Sequence, residues 1–161
     1  MAGQLDGQHA QGSSAALASS VLSGLVAAGG RRAAWSDRDR DRIPGTYFQT
    51  INVPSLGISF RGVIVFTPDG GVVGTSSMHP SDIALGTWTR HEAGQFLYTL
   101  IDFTSDQAGA STGYNTINVL AAVADDELTG SFTVLHTDPQ GVTTTFAHGN
   151  LTGTRLAATA P

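Results

Sequence analysis

The sequence predicts an all-β protein, a closed eight-stranded antiparallel up-and-down barrel with a short N-terminal helix. From residue 45 onward, apolar and polar residues alternate with a period of two, which is typical of strands with one buried face. Turn signals rich in Gly, Pro and Asp interrupt this alternation at short intervals. Glu, a strong helix former, occurs only at positions 92 and 127, whereas Gly occurs 20 times. These observations favour strands and turns over helices.

Each strand is a period-two segment bounded by turn residues. The predicted strands are about 45–53, 57–67, 71–78, 84–91, 95–104, 113–124, 127–137 and 142–156. A single open sheet of these strands would leave two free edges and one uncovered apolar face. Closure into a barrel removes both problems, and a barrel of eight strands has room for a filled core or one small ligand.

Two similar turns predict the strand register. The segments TPDGG (67–71) and DPQGV (138–142) both place Pro second and Gly fourth, as in a type I turn followed by a left-handed glycine. The segment HEAGQ (91–95) is similar. The expected pairs are Phe66 with Val72, Ile64 with Gly74, Arg90 with Phe96, Trp88 with Tyr98, His136 with Thr144, Val134 with Phe146 and Phe132 with His148.

Composition excludes several classes of function. The net charge is −5 and Lys is absent, so the chain lacks the basic face that nucleic-acid binding needs. There is no Cys, which excludes disulfides and thiolate chemistry. No apolar run is long enough for a membrane-spanning helix. We expect a monomer or a homodimer with no nucleic-acid or membrane partner.

The chain divides into an N-terminal extension (1–44), the barrel (45–156) and a C-terminal tail (157–161). Within the extension, about 13–28 predicts a helix with one apolar stripe, followed by a charged linker. No positive charge precedes this apolar stretch, which is the wrong polarity for a secretion signal, so we expect a cytoplasmic protein. We expect the helix to cover the barrel mouth as a lid; the alternative is a flexible tail.

The bulky face of the strands mixes large apolar residues with polar ones, which predicts a ligand cavity. The predicted catalytic residues are Asp102, Tyr98 and His136, and the predicted binding residues are Trp88, Arg90, Tyr114, Asn118, Phe132, Phe146 and His148. Asp102 lies toward the end of a very apolar strand, and a carboxylate inside a barrel needs a partner or takes up a proton. Arg90 or Tyr114 is the expected partner, and a purely structural Asp–Arg pair is the alternative.

No metal or cofactor is expected. His136 and His148 lie on neighbouring strands but several residues apart along the ladder, and no third ligand is evident. For each histidine, a structural hydrogen bond to Thr or water near the barrel mouth is favoured over a catalytic role.

Two short motifs carry a family resemblance. Gly45-Thr46-Tyr47 begins the first strand and Arg155 lies on the last. This pair resembles the lipocalin-like (calycin) barrels, in which an Arg of the last strand packs across a Gly-x-aromatic motif and closes one end. Gly86-Thr87-Trp88 is a second copy of the motif, in the fourth strand.

The short barrel with a helical extension also resembles small bacterial barrels of the allene oxide cyclase-like group. Some of these serve natural-product biosynthesis, among them the spirotetronate cyclases that promote 4+2 cycloadditions. The resemblance implies a cofactor-independent cyclase or isomerase acting on an apolar, polyketide-like secondary metabolite. The alternatives are a non-catalytic carrier of a small hydrophobic ligand and a structural barrel with a solid core.

Overall fold

A computed structural model describes residues 42–78, 82–92 and 94–157. Eight strands form in chain order: β1 (Gly45–Val53), β2 (Ile58–Phe66), β3 (Gly71–Ser76), β4 (Ala84–Arg90), β5 (Gln95–Ser105), β6 (Ser111–Ala124), β7 (Glu127–Thr137) and β8 (Thr143–Arg155). A single 3-10 turn, Pro54–Leu56, links β1 to β2. All eight strands were predicted from the sequence to within a few residues. The predicted helix and its lid function lie outside the described residues.

Each strand pairs antiparallel with the next, and β1 pairs with β8 to close the barrel. This arrangement confirms the predicted up-and-down barrel. Within the described part of the chain, no helix has the length and apolar character needed to cross a membrane.

The β2–β3 and β4–β5 hairpins have the register predicted from their turns. Phe66 lies opposite Val72, and Trp88 lies opposite Tyr98. The turn between β2 and β3 is closed by a 2.9 Å hydrogen bond from the Thr67 amide to the carbonyl of Gly71. These short loops set the register because their backbone geometry leaves only one pairing of the flanking strands.

The register between β7 and β8 differs from the prediction by one residue over most of its length. His136 lies opposite Thr144 as expected, but a β-bulge follows, and Val134 pairs with Ala147, not with Phe146. Phe132 accordingly lies opposite Gly149, not His148. Its ring occupies the space above that glycine, since a Cβ atom built there would lie 2.4 Å from the ring.

The face assignment of β6 also needs correction. Asp125 and Asp126 both have positive φ, 49° and 66°, and form a tight two-residue turn into β7. This turn sets Val119 opposite Phe132, so that the inner face carries the odd-numbered residues of β6. Tyr114 and Asn118 were expected inside but lie on the outer face. Tyr114 packs against exposed Phe103, with the ring centroids 6.4 Å apart, and Asn118 accepts a hydrogen bond from the Thr99 hydroxyl.

One end of the barrel is filled by aromatic side chains. Phe66 makes edge-to-face contacts with Tyr47, Phe96 and Tyr98 at centroid distances of 5.8, 5.2 and 5.2 Å. Trp88 packs against Phe96 at 6.1 Å. These rings exclude water from the closed end and form the floor of the space above them.

Arg155 caps this closed end. Its guanidinium lies 4.8 Å from the centroid of the Tyr47 ring and donates hydrogen bonds to the backbone carbonyls of Arg42 and Pro44. It also forms a 2.8 Å ion pair with Asp126. The expected packing of Arg155 across Tyr47 is therefore present.

Candidate functional site

A cavity of about 500 Å³ occupies the barrel above the aromatic floor. It extends from Tyr98 to the end where β1, β3, β5 and β7 finish, and Leu56, Met78 and Asp82 line it there. Most of its wall is apolar, and its aliphatic residues include Ile51, Val53, Leu100, Ile117, Val119, Val134, Ala147 and Leu151. The volume lies within the range of small-molecule binding sites.

Glycines on the inner face reduce the side-chain bulk inside the barrel. Glycines occupy inner positions at Gly62, Gly74, Gly86, Gly130, Gly149 and Gly153. A barrel of eight strands is filled when large side chains point inward from every strand. Glycine lacks that bulk: Gly74 lines the open space above the aromatic floor, whereas the Phe132 ring fills the space at Gly149.

Polar side chains cross three neighbouring strands near the open end. Asp102 on β5 lies opposite Asn115 on β6, which lies opposite His136 on β7, and all three line the cavity. We call these three residues the polar rung. Asn115 was missed from the sequence because β6 was assigned the wrong inner face.

A hydrogen bond fixes the histidine of the polar rung. The Nδ1 atom of His136 lies 3.0 Å from the Oδ1 atom of Asn115. With a carbonyl oxygen as its partner, Nδ1 carries the proton. A neutral imidazole in this tautomer accepts a hydrogen bond or a proton at Nε2, and an imidazolium donates from it.

The expected pairing of Asp102 with Arg90 or Tyr114 is wrong. Arg90 lies opposite Phe96, six residues before Asp102 on β5, which is about 20 Å along a strand. Tyr114 lies opposite Phe103 and on the outer face. The polar neighbour that the register gives Asp102 on the inner face is Asn115.

Two further polar groups lie deeper, at the aromatic floor itself: the hydroxyl of Tyr98, whose ring is part of the floor, and the amide of Gln49. Tyr98 is only 3% exposed, and burial raises the pKa of its hydroxyl well above the usual value, so the group stays protonated. Gln49 on β1 is 6% exposed and lines the same cavity. It was missed from the sequence, although it shares the inner-face spacing of Tyr47 and Ile51.

The structure divides the predicted site residues into two groups. Tyr98, Asp102, Phe132, His136 and Phe146 line the cavity. The other predicted residues, Trp88, Arg90, Tyr114, Asn118 and His148, do not line it.

The second group has other positions in the fold. Trp88 belongs to the closed end, where its Nε1 atom donates a 2.8 Å hydrogen bond to the Thr67 carbonyl. His148 lies on the outer face, where its Nδ1 atom is 3.1 Å from the Thr133 hydroxyl. Phe146 reaches the cavity mouth because it is the extra residue of the β8 bulge, and bulges redirect side chains in this way.

Among the described residues, no group of three or more His, Asp or Glu side chains is arranged to hold a metal ion. No protein-family model matches the sequence, and no curated protein or solved structure matches it. The functional conclusion therefore depends on the geometry and chemistry of the cavity.

Proposed function

We propose that the barrel binds a small, largely apolar organic molecule and promotes its cyclisation or isomerisation without a cofactor. The observation that carries this proposal is a cavity of about 500 Å³ with aliphatic walls and a polar rung on one side. Aliphatic walls favour an apolar body, and a few convergent polar groups orient it. A polyketide-like secondary metabolite has this combination of features.

Confinement supplies the first contribution to catalysis. A flexible chain held between Ile51, Ile117 and Leu151 loses the extended conformations that separate its reacting ends. Prior orientation of reacting groups lowers a barrier by up to about 7–11 kcal/mol in favourable intramolecular reactions. A cycloaddition, which forms its bonds without losing any atom, gains most from this effect.

The polar rung supplies the second contribution. A hydrogen bond from the rung to a carbonyl conjugated with a double bond withdraws electron density from that bond and activates it for cycloaddition. In an isomerisation, Nε2 of His136 removes a proton from the carbon between a carbonyl and a double bond. The same proton then returns to the far carbon of the resulting dienolate, so that the double bond moves and the atoms balance.

Carriage of a hydrophobic ligand is the second candidate function. It is favoured by the predominance of aliphatic residues in the lining, since storage needs burial and no chemistry. The two functions differ in what the polar rung does. In a carrier the rung only orients the ligand, and its removal changes affinity alone.

The test uses one substrate for each reaction. The first is a decatrienone with a terminal diene and an enone, and the second is a β,γ-unsaturated cyclohexenone. Product formation by the full chain is compared with that in buffer. We expect one reaction to be accelerated, and His136→Gln or Asp102→Asn to remove most of the acceleration. His148→Gln, on the outer face, is the matched control. Binding of both compounds with no acceleration of either would favour the carrier.

A further inference from the structure

The side chain of Gln49 is an amide in an otherwise apolar and aromatic part of the barrel. It lines the cavity, is 6% exposed, and its Oε1 atom is buried with no hydrogen-bond partner among the described residues. Buried polar atoms in folded proteins are nearly always paired, because an unpaired one loses its bonds to water without replacement. A group that lowers stability in this way is a candidate for a function.

Gln49 has glycine neighbours on both sides. It pairs with Gly62 on β2 and with Gly153 on β8. A Cβ atom at Gly62 would lie 3.4 Å from its Nε2 atom, and one at Gly153 would lie 3.2 Å from its Cβ atom. Gly62 and Gly153 have no side chain that could pair with the amide, and both leave room for it.

Gln49 lies at the deep end of the cavity. On the inner face of β1 it follows Tyr47, and on β5 Tyr98 follows Phe96. Tyr47 and Phe96 both belong to the filled aromatic end and are fully buried. Gln49 and Tyr98 therefore lie in the layer where that end meets the cavity, far from the polar rung near the mouth.

We propose that Gln49 recognises a hydrogen-bond donor, a hydroxyl or an N–H, on the end of the ligand that enters the barrel first. This inference rests on the proposed function and makes its ligand more specific. The molecule has an apolar body with a donor at its buried end, and a second polar group that meets the polar rung. The terminal torsion of a glutamine is soft, so a small rotation presents Oε1 to the cavity. Tyr98 is a second group in the same layer that can bind a hydroxyl.

Two probes with the same rings, one with this donor and one without it, test the inference. β-Naphthol carries a hydroxyl, and its methyl ether has the same rings without the donor. Both are titrated into the full chain and followed by fluorescence. We expect the wild-type protein to bind β-naphthol at least about tenfold more tightly than the ether, the value of one hydrogen bond in a water-excluded site.

The variant Gln49→Leu should lose this preference by weakening β-naphthol while it leaves the ether unchanged or tighter. Without a probe, its melting temperature should be equal to or above that of the wild type. Gln49→Met, which preserves length, gives the same comparison if the leucine variant does not fold. Gln107→Leu in an exposed loop is the matched control.

An unchanged ratio of the two affinities in Gln49→Leu or Gln49→Met would overturn the inference and leave the proposed function standing. Binding of neither probe to the wild-type protein would count against the proposed function itself, and the inference would fall with it.

Discussion

Asn115 on β6 holds the imidazole of His136 on β7 through a 3.0 Å hydrogen bond to Nδ1, on the inner face of the barrel. The bond determines which ring nitrogen is available to a ligand, because a proton held on Nδ1 leaves Nε2 as the acceptor. Asn115 is thus a positioning residue. It acts on a ligand through the histidine that it orients.

Replacing Asn115 with leucine removes the acceptor and keeps the number of side-chain heavy atoms and the branched shape. We expect the rate of the accelerated reaction to fall about tenfold to a hundredfold, since orienting partners have effects of this size on histidine. Asn115→Asp, which retains an acceptor, should restore a large part of the rate and change its dependence on pH. The measurement is the pH–rate profile of both variants. A wild-type profile for Asn115→Leu would show that the hydrogen bond has no role in turnover.

The contacts of Arg155 predict that it stabilises the closed end. Replacement with methionine removes the guanidinium donor from the Pro44 carbonyl, leaves the Arg42 carbonyl with only the Tyr47 hydroxyl, and removes the cation from the Tyr47 ring. We expect the free energy of unfolding to fall by about 2–3 kcal/mol. Urea denaturation measures this change, with Arg61→Met on the outer face as the control. Equal, small effects of the two variants would contradict a structural role for this closure.

The buried tyrosines predict a loss of stability at high pH. Burial raises the pKa of Tyr47 from its usual value of 10.0 to about 12, although the nearby Arg155 cation opposes the shift. Between these values the unfolded chain has released the proton and the folded chain still holds it, so unfolding releases protons and stability falls as pH rises. The melting temperature should therefore decrease steadily from pH 10 to pH 12. A constant melting temperature over that range would show that the Tyr47 hydroxyl is not buried.

Replacement of Gly149 with alanine is expected to destabilise the folded protein. A Cβ atom there would lie 2.1 Å from the carbonyl oxygen of Asn52 and 2.4 Å from the Phe132 ring. At Gly74 the nearest atom would be Leu100 Cδ1 at 3.6 Å, an ordinary contact. We expect Gly149→Ala to lower the free energy of unfolding by roughly 1–3 kcal/mol, as overpacked sites do, and Gly74→Ala to have little effect. Similar denaturation midpoints for the two variants would refute the register at Phe132.

Strand positions could be read from the sequence because short Pro-Gly turns and a period-two pattern determine them together. The inner face of β6 could not, since Val119 and Leu120 give its two faces similar apolar character. The signal that would have settled it is the pair Asp125-Asp126, whose left-handed conformations fix the register with β7. The bulge at Phe146 was hidden as well, because the residues around it, TTTFA (143–147), carry no Gly, Pro or Asp that would mark a change of register.

The candidate site was predictable to the extent that its strands were. Asp102, Tyr98 and His136 lie on strands whose inner faces were assigned correctly, and all three line the cavity. Asn115 was not identified as a site residue, because the wrong face of β6 was assigned to the barrel interior. Gln49 could have been found, because it alternates with Tyr47 and Ile51; the polar residue was overlooked among large neighbours.

The most direct test of the central claim is the binding of N-phenyl-naphthylamine, an apolar dye that fluoresces strongly only when it is removed from water. It is titrated into the wild-type protein, Ile117→Trp inside the cavity and Asn118→Trp on the outer face. We predict saturable one-to-one binding by the wild type and by Asn118→Trp. For Ile117→Trp we predict affinity lower by at least about tenfold, because the indole occupies the middle of the cavity. Circular dichroism checks that each variant is folded. Equal affinities for the two tryptophan variants, or no saturable binding by the wild type, would contradict a ligand-binding cavity in this barrel.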